Sequence, residues 1–306
     1  MGVRVHCLAC EGNASRVSLE APVDYEYGVV PSVSFSYYRC ESCDSEWLCP
    51  RPRDSDLPAF YPAHYHAHSD DHGVLAKILV GIRSQLRGRN YRALLPDRRS
   101  GALFDVGAGD CRHFLELQKF ADWSFAGVEI QPAMAEHARE QGFDVATGTL
   151  EQMDVTAHCN KYDIVSMNHV LEHVGDPAQV VARCWQLLKP GGWLIGQLPT
   201  NSSWEARFGG VWAGYHYPRH LQVFSRRGLA LLLRRSGFRA IKISSAPHCQ
   251  TAISLQNSLV AAGASLRLQH GRSKIYGILL LASLPFELLA WLFNRSGTID
   301  FKAQKD

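Results

Sequence analysis

Charge of one sign is almost absent as a surplus. The 306 residues carry 32 Lys and Arg against 29 Asp and Glu, a formal balance of +3, too small to mark a nucleic-acid binder by global charge. The first ten residues lack a cationic stretch followed by an apolar core, so no signal peptide is read there. His6 stands where a myristoylation pattern needs Ser or Thr. A cytoplasmic, reducing compartment is therefore expected. No internal repeat is visible, which leaves no ground for a repeat architecture. Long uninterrupted apolar runs are also missing: Ile275 to Phe293 comes nearest, and Pro285 and Glu287 break it. What remains is 46% apolar and 20% charged residues, the composition of a globular chain with a real core. The length suits one large domain with a small appendage.

Four of the nine cysteines form two C-x-x-C pairs, Cys7 with Cys10 and Cys40 with Cys43. Paired thiolates at that spacing are the tetrahedral donor set that Zn2+ prefers, and four protein ligands make a closed structural site. Residues 1–50 read as a zinc-binding knob of short strands, and 51–98 as a connector and lead-in helix, with Val74, Leu75, Ile78, Leu79, Ile82 and Leu86 at helical spacing. His64, His66, His68 and His72 in the connector read as a solvated polar stretch more readily than as a metal site. From Lys77 to Arg99 seven cationic residues stand against one acid, Asp97, a solvated helix face or a phosphate-facing one.

From Leu103 onward apolar strand-like runs alternate with amphipathic segments: Ala102 to Val106, Phe125 to Ile130, Asp163 to Met167, Trp193 to Leu198, Arg239 to Ser244 and Thr298 to Ala303. That alternation predicts an α/β fold, a doubly wound, Rossmann-like sheet over 99–245 with 298–306. Leu103 to Val106 runs into Gly107-Ala108-Gly109, a turn that lets a ligand approach the backbone before a helix beginning near His113. Asp105 would repel a pyrophosphate but suits a cationic amino group, as in the methionine part of S-adenosylmethionine. Glu129, at the end of the second strand, is placed to accept ribose hydroxyls.

Asn168-His169-Val170-Leu171-Glu172-His173-Val174 after the fourth strand and Leu188-Lys189-Pro190-Gly191-Gly192 before the fifth resemble the class I S-adenosylmethionine-dependent methyltransferases with VLEHV and LKPGG motifs. The resemblance implies a seven-stranded sheet in which Asp105, Gly107 and Gly109 hold the methionine end and Glu129 the ribose. Ile130 would lie on adenine, Thr149 and Leu150 beside the base, and Asn168 and His169 beside the sulfonium. Cys111 departs from the family at a position where many members carry a third glycine. Similar enzymes, sugar C-methyltransferases among them, begin with a zinc knob and continue through a PRP…FY…Y connector, matched here by Pro50-Arg51-Pro52 and Phe60-Tyr61-Pro62-Ala63-His64-Tyr65. They also carry a segment like Pro218-Arg219-His220-Leu221-Gln222-Val223-Phe224.

Methyl transfer from a sulfonium rests chiefly on alignment, with a base where the acceptor is a hydroxyl or carbon acid. His220 or His216 is expected as that base and His173 as a positioning group. The acceptor expected is a small molecule, a sugar or a lipid-linked or cell-surface polysaccharide precursor. Nucleic acid is disfavoured, although an RNA methyltransferase gripping phosphate with the knob and the cationic helix stands as an alternative, and a non-catalytic S-adenosylmethionine-binding module as another. Residues 246–297 are left over as an apolar two-helix insertion, expected to lie against a membrane face, to span it, or to bury itself in an oligomer.

Overall fold

In the computed structural model the described residues are 6–53, 55–62, 65, 100–109, 111, 114 and 122–306. His64, His66, His68, His72, the lead-in helix, the cationic segment 77–99 and the helix expected from His113 lie outside them. The elements are β1 (Ser15–Leu19), β2 (Ser36–Cys40), β3 (Glu46–Cys49), β4 (Ser100–Val106), β5 (Asp122–Glu129), α1 (Pro132–Glu140), β6 (Asp144–Thr147), β7 (Tyr162–Asn168), α2 (Pro177–Leu187), β8 (Leu188–Pro199), β9 (Gln222–Val223), α3 (Arg226–Arg235), β10 (Phe238–Ser245), α4 (Thr251–Ala261), β11 (Leu268–Gln269), β12 (Arg272–Ser273), α5 (Tyr276–Leu292) and β13 (Thr298–Lys305).

Apolar runs become strands because alternate residues enter different cores. Leu103, Phe125, Ile164 and Ile195 point into one buried cluster with Ala135 and Ala138 of α1. Their neighbours Phe104, Ala126, Val165 and Leu194 enter the other, with Val180, Val181, Cys184 and Leu187 of α2 and Leu229, Leu232 and Leu233 of α3. Helix starts are set by side chains. Asp176 accepts from the Ala178 and Gln179 amides with Pro177 behind it, and Ser225 accepts from Gly228 N. The sheet order is β10-β13-β8-β7-β4-β5-β6, parallel except for β13, which runs antiparallel to both neighbours. After β4 the chain moves outward through β5 and β6, then returns to the other side of β4 with β7. The topological switch point, where such sheets bind ligands beyond the strand carboxyl ends, therefore lies between β4 and β7.

The N-terminal segment packs onto the main domain. β1, β2 and β3 form an antiparallel sheet completed by β9, which comes from the loop after β8. Its residues Phe35, Tyr37 and Leu48 share one core with Trp212, Tyr215, Tyr217, Leu221 and Val223. Cys40, Cys43 and Trp47 enter the main cluster beside Phe224 and Leu229. A fifty-residue stretch this short of apolar volume is stabilised by leaning on its neighbour.

The insertion also differs from its apolar reading. The buried residues of α4 are Thr251, Ala252, Ser254, Gln256 and Asn257, nearly all polar. They face the irregular loop after β8, whose backbone groups need partners: Ala213 N donates to Ser254 Oγ (3.0 Å) and Asn257 Nδ2 donates to Val211 O (3.2 Å). Glu287 of α5 is buried against Glu205 of that loop, and burial together with this second carboxylate pushes Glu205 up to about 8. Thr251 N and Gly297 N each donate to one of the pair. The other face of α5 is open: Ile278, Leu281, Leu288, Leu292 and the following Phe293 are each more than half exposed. Among the described residues no helix is long and apolar enough to cross a membrane.

Candidate active site at the sheet switch point

The turn after β4 is built from backbone constraints. Gly107 has φ +77°, and a Cβ there would sit 2.7 Å from Val170 Cγ2, so the loop closes directly on the segment after β7. Gly107 N donates to Val128 O at 2.8 Å. Gly109 has φ +55° with open space beside it. Cys111 also takes a positive φ, +54°, the conformation a third glycine would adopt freely, and its side chain is fully buried. Asp105 is buried and accepts from Ser166 Oγ at 2.5 Å. Glu129, also buried, accepts from Gly109 N (2.8 Å) and Gln131 N (2.9 Å) and so ties β5 to the glycine turn. Ile130 is 65% exposed beside it, an apolar surface that a planar ligand could cover. Thr149 is half-buried, while the Leu150 side chain lies in the core, leaving only its backbone to meet a ligand. Asn168 ends β7. His169 follows with φ +55° and stands between Glu172 Oε1 (3.2 Å from Nδ1) and Gln197 Oε1 (3.2 Å from Nε2).

Past His169 polar side chains from four parts of the chain gather into one cluster, the histidine chamber. The segment after β7 supplies His173 and the loop after β8 supplies His220, whose rings lie 4.7 Å apart, with His216 5.2 Å beyond His220. Tyr61 of the connector bonds His173 Nδ1 (3.1 Å), and Tyr65 bonds His216 Nε2 (3.1 Å). From the N-terminal segment, Glu26 meets His216 Nδ1 (3.2 Å), and Tyr37 donates to the His220 carbonyl (2.6 Å). Arg219 is fully buried behind them, paired with Asp24 at 2.9 Å and lying 4.7 Å over the Tyr27 ring. Burial pushes His220 well below the usual imidazole range and lowers His173 as well, so both rings are neutral at neutral pH. Burial also raises Glu172, but the hydrogen bond from His169 outweighs it and holds the carboxyl down at about 2.

The three histidines expected around the acceptor thus come together, and so do the glycine turn, Glu129, Asn168 and His169. The remaining contributors, Glu26, Tyr27, Glu172 and Arg219, had no assigned role. The doublet Phe60-Tyr61 with Tyr65 was visible as a pattern, and only the fold shows that it walls the chamber. Far from it, the four cysteines converge: Cys7 and Cys43 sulfurs are 3.6 Å apart, as are Cys10 and Cys40, and all four lie within 4.8 Å of one another. A zinc tetrahedron with ~2.3 Å bonds has edges of ~3.8 Å, so this donor set fits the ion.

Comparison with known proteins agrees with the architecture. The chain is 30% identical over 114 residues to the trans-aconitate 2-methyltransferase of Deinococcus radiodurans, covering 37% of this chain and 43% of that protein. It is 44% identical over 116 residues to the ubiquinone biosynthesis O-methyltransferase of Thiobacillus denitrificans, covering 36% and 48%. The matched stretch is thus less than half the length of either relative. Solved structures of the same fold include phosphoethanolamine N-methyltransferase 2 of Haemonchus contortus with S-adenosyl-L-methionine (15% identity, TM-score 0.50, covering 72% of this chain and 52% of that one). The [4+2]-cyclase SpnF is another (15%, TM-score 0.50, covering 78% and 84%). Residues 82–243, more than half of the chain, match the family described as methyltransferase domain, and the chain belongs to that family.

Proposed function

We propose that the chain is an S-adenosylmethionine-dependent methyltransferase acting on a small-molecule acceptor. One observation carries this reading: a glycine turn flanked by two buried carboxylates, Asp105 and Glu129, at the switch point of the sheet, closing through Val170 on the histidine chamber. Asp105 lies where a cationic ammonium is wanted and Glu129 where ribose hydroxyls are. Bound there, the cofactor supplies a methyl group activated on sulfonium. The protein's own part is to hold the acceptor in line, exclude water and take a proton. His220 Nδ1 donates to Gly214 O (2.8 Å), which leaves its Nε2 lone pair for that proton, with His173 orienting the acceptor. Titration calorimetry of the zinc-loaded chain is expected to show one S-adenosylmethionine site, weakened at least ~10-fold in Glu129→Ala, since a charge-assisted hydrogen bond is worth about 1.5–3 kcal/mol. No binding by the wild-type chain removes the enzyme reading.

In the same reading Cys7, Cys10, Cys40 and Cys43 hold a structural zinc, and the acceptor is a sugar or lipid-linked precursor. A cavity of ≈ 470 Å3 lined by Trp204, Phe208, Phe286 and Arg207 supports the lipid-linked case, pairing aromatic walls with a cation suited to phosphate. The exposed face of α5 supports peripheral docking on an anionic membrane. The only acid between residues 246 and 297, Glu287, is buried, whereas Arg267, Arg272, Lys274 and Arg295 are exposed. Flotation with anionic vesicles is expected to carry the wild-type chain, and the Leu288→Asp/Leu292→Asp variant is expected to remain behind. Equal flotation of the two removes the docking reading.

A further inference from the structure

Glu172, His173 and His220 each offer one ligand atom, and the three atoms lie within 4.8 Å of one another. Both imidazoles have their tautomers fixed by backbone carbonyls, which can only accept: His173 Nδ1 donates to Arg219 O (2.9 Å) and His220 Nδ1 to Gly214 O (2.8 Å). Each Nε2 therefore carries a lone pair in place of a proton. Metal-bound histidines are held in this way, the distal N–H on a carbonyl and the other nitrogen on the ion. The carboxylate adds an independent sign. Glu172 is 0% exposed, its Oε1 faces His169, and its Oε2 has no hydrogen-bond partner among the described residues. An unpaired buried carboxylate oxygen costs several kcal/mol unless something cationic satisfies it.

We propose that Glu172, His173 and His220 form a second metal site, taking a divalent transition ion of the zinc, manganese or iron(II) class through two imidazole nitrogens and one carboxylate oxygen. Three protein ligands leave a coordination position open, unlike the closed four-cysteine site. His173, the least buried of the three, is half-buried. The surrounding loops are built to hold the cluster: Leu221 N and Gln222 N both donate to Glu172 O, and Gln222 Nε2 donates to the carbonyls of Leu171 and Val174.

For the reaction this inference rests on the methyltransferase reading; for binding it does not. An ion held there would lower the pKa of an acceptor hydroxyl, whose proton would pass to His216 or out to solvent before the methyl group arrives. The acceptor's oxygen pair then forms the new C–O bond while the methyl C–S bond breaks and leaves its electron pair on sulfur. The His220 lone pair then polarises the acceptor through the ion instead of taking the proton itself.

The test is the metal count after equilibrium dialysis of the full chain against micromolar zinc chloride, free zinc removed. Two zinc ions per chain are expected for the wild type and one for His220→Gln, whose amide can still donate to the Gly214 carbonyl, and for Glu172→Gln. One ion in the wild type, or two in both variants, overturns the site; the latter result assigns the extra ion to the connector histidines. A second measurement needs no variant. Added Mn2+, which the thiolate site does not favour, is expected to broaden the His173 and His220 ring signals in a nitrogen-15 spectrum of the wild type, and broadening confined to other histidines overturns the proposal. S-adenosylmethionine binding by the same samples reports separately on the methyltransferase reading.

Discussion

Arg219→Met is expected to lower the stability of the chain by about 3–5 kcal/mol, read from urea unfolding. The Arg219 and Asp24 side chains are 0% and 2% exposed and 2.9 Å apart. The guanidinium also donates to Phe60 O and Tyr217 O, both at 3.0 Å. One side chain thus joins the N-terminal segment, the connector and the loop after β8. Removing it leaves Asp24, with its own amide donors Glu26 N, Tyr27 N and Val29 N, as a buried charge without its counter-ion. Asp24→Asn in the Arg219→Met background is expected to return most of the loss, because the cost lies in the orphaned charge more than in the pair. A single variant within about 1 kcal/mol of the wild type would show that the pair holds nothing.

Removing the zinc proposed for the four-cysteine site is expected to do still more. A chelator, or Cys40→Ser with Cys43→Ser, should unfold β1 to β3 and open the chamber with them, seen as loss of hydrogen-exchange protection at Leu48 and Leu221, whose backbones are joined (Leu48 N to Leu221 O, 2.8 Å). Structural zinc sites contribute about 10–16 kcal/mol of apparent folding free energy at neutral pH. Zinc bound there would pass that energy on, because the Cys43 carbonyl accepts from Ser225 Oγ, the cap of α3. Glu46 of β3 accepts from Tyr215 OH (3.0 Å), within the loop that carries His216. An appendage that only decorates the fold would come apart without touching Leu221, and that outcome would refute the coupling.

The large sheet was legible because its central strands are apolar on both faces, and the glycine turn because Gly107, Gly109 and Glu129 are local to strand ends. β6 escaped notice since only Val145 of its four residues is buried, and β9 because two residues carry no period. The chamber was legible only in its histidines. Glu26, Tyr61 and Tyr65 reach it through pairing of β3 with β9, across more than 170 positions, which no local pattern encodes. Arg219 sat in view between Pro218 and His220, yet a charged residue reads as solvated until its buried partner is known. The polar residues of α4 misled in the other direction: apolar composition hid a helix whose work is to satisfy backbone groups of another loop.

The insertion leaves and re-enters the sheet through adjacent strands. β10 and β13 are hydrogen-bonded partners up to Ser245 opposite Ile299, and Ala246 N donates to Thr298 O at 3.0 Å. The two ends are thus held together by the sheet itself, whatever lies between them, and the entropic cost of closing that loop grows only slowly with its length. Residues 246–297 are in this sense a cassette plugged into a closed socket, whose contents can be lengthened or exchanged while the glycine turn after β4, three strands along the sheet from β13, keeps its geometry.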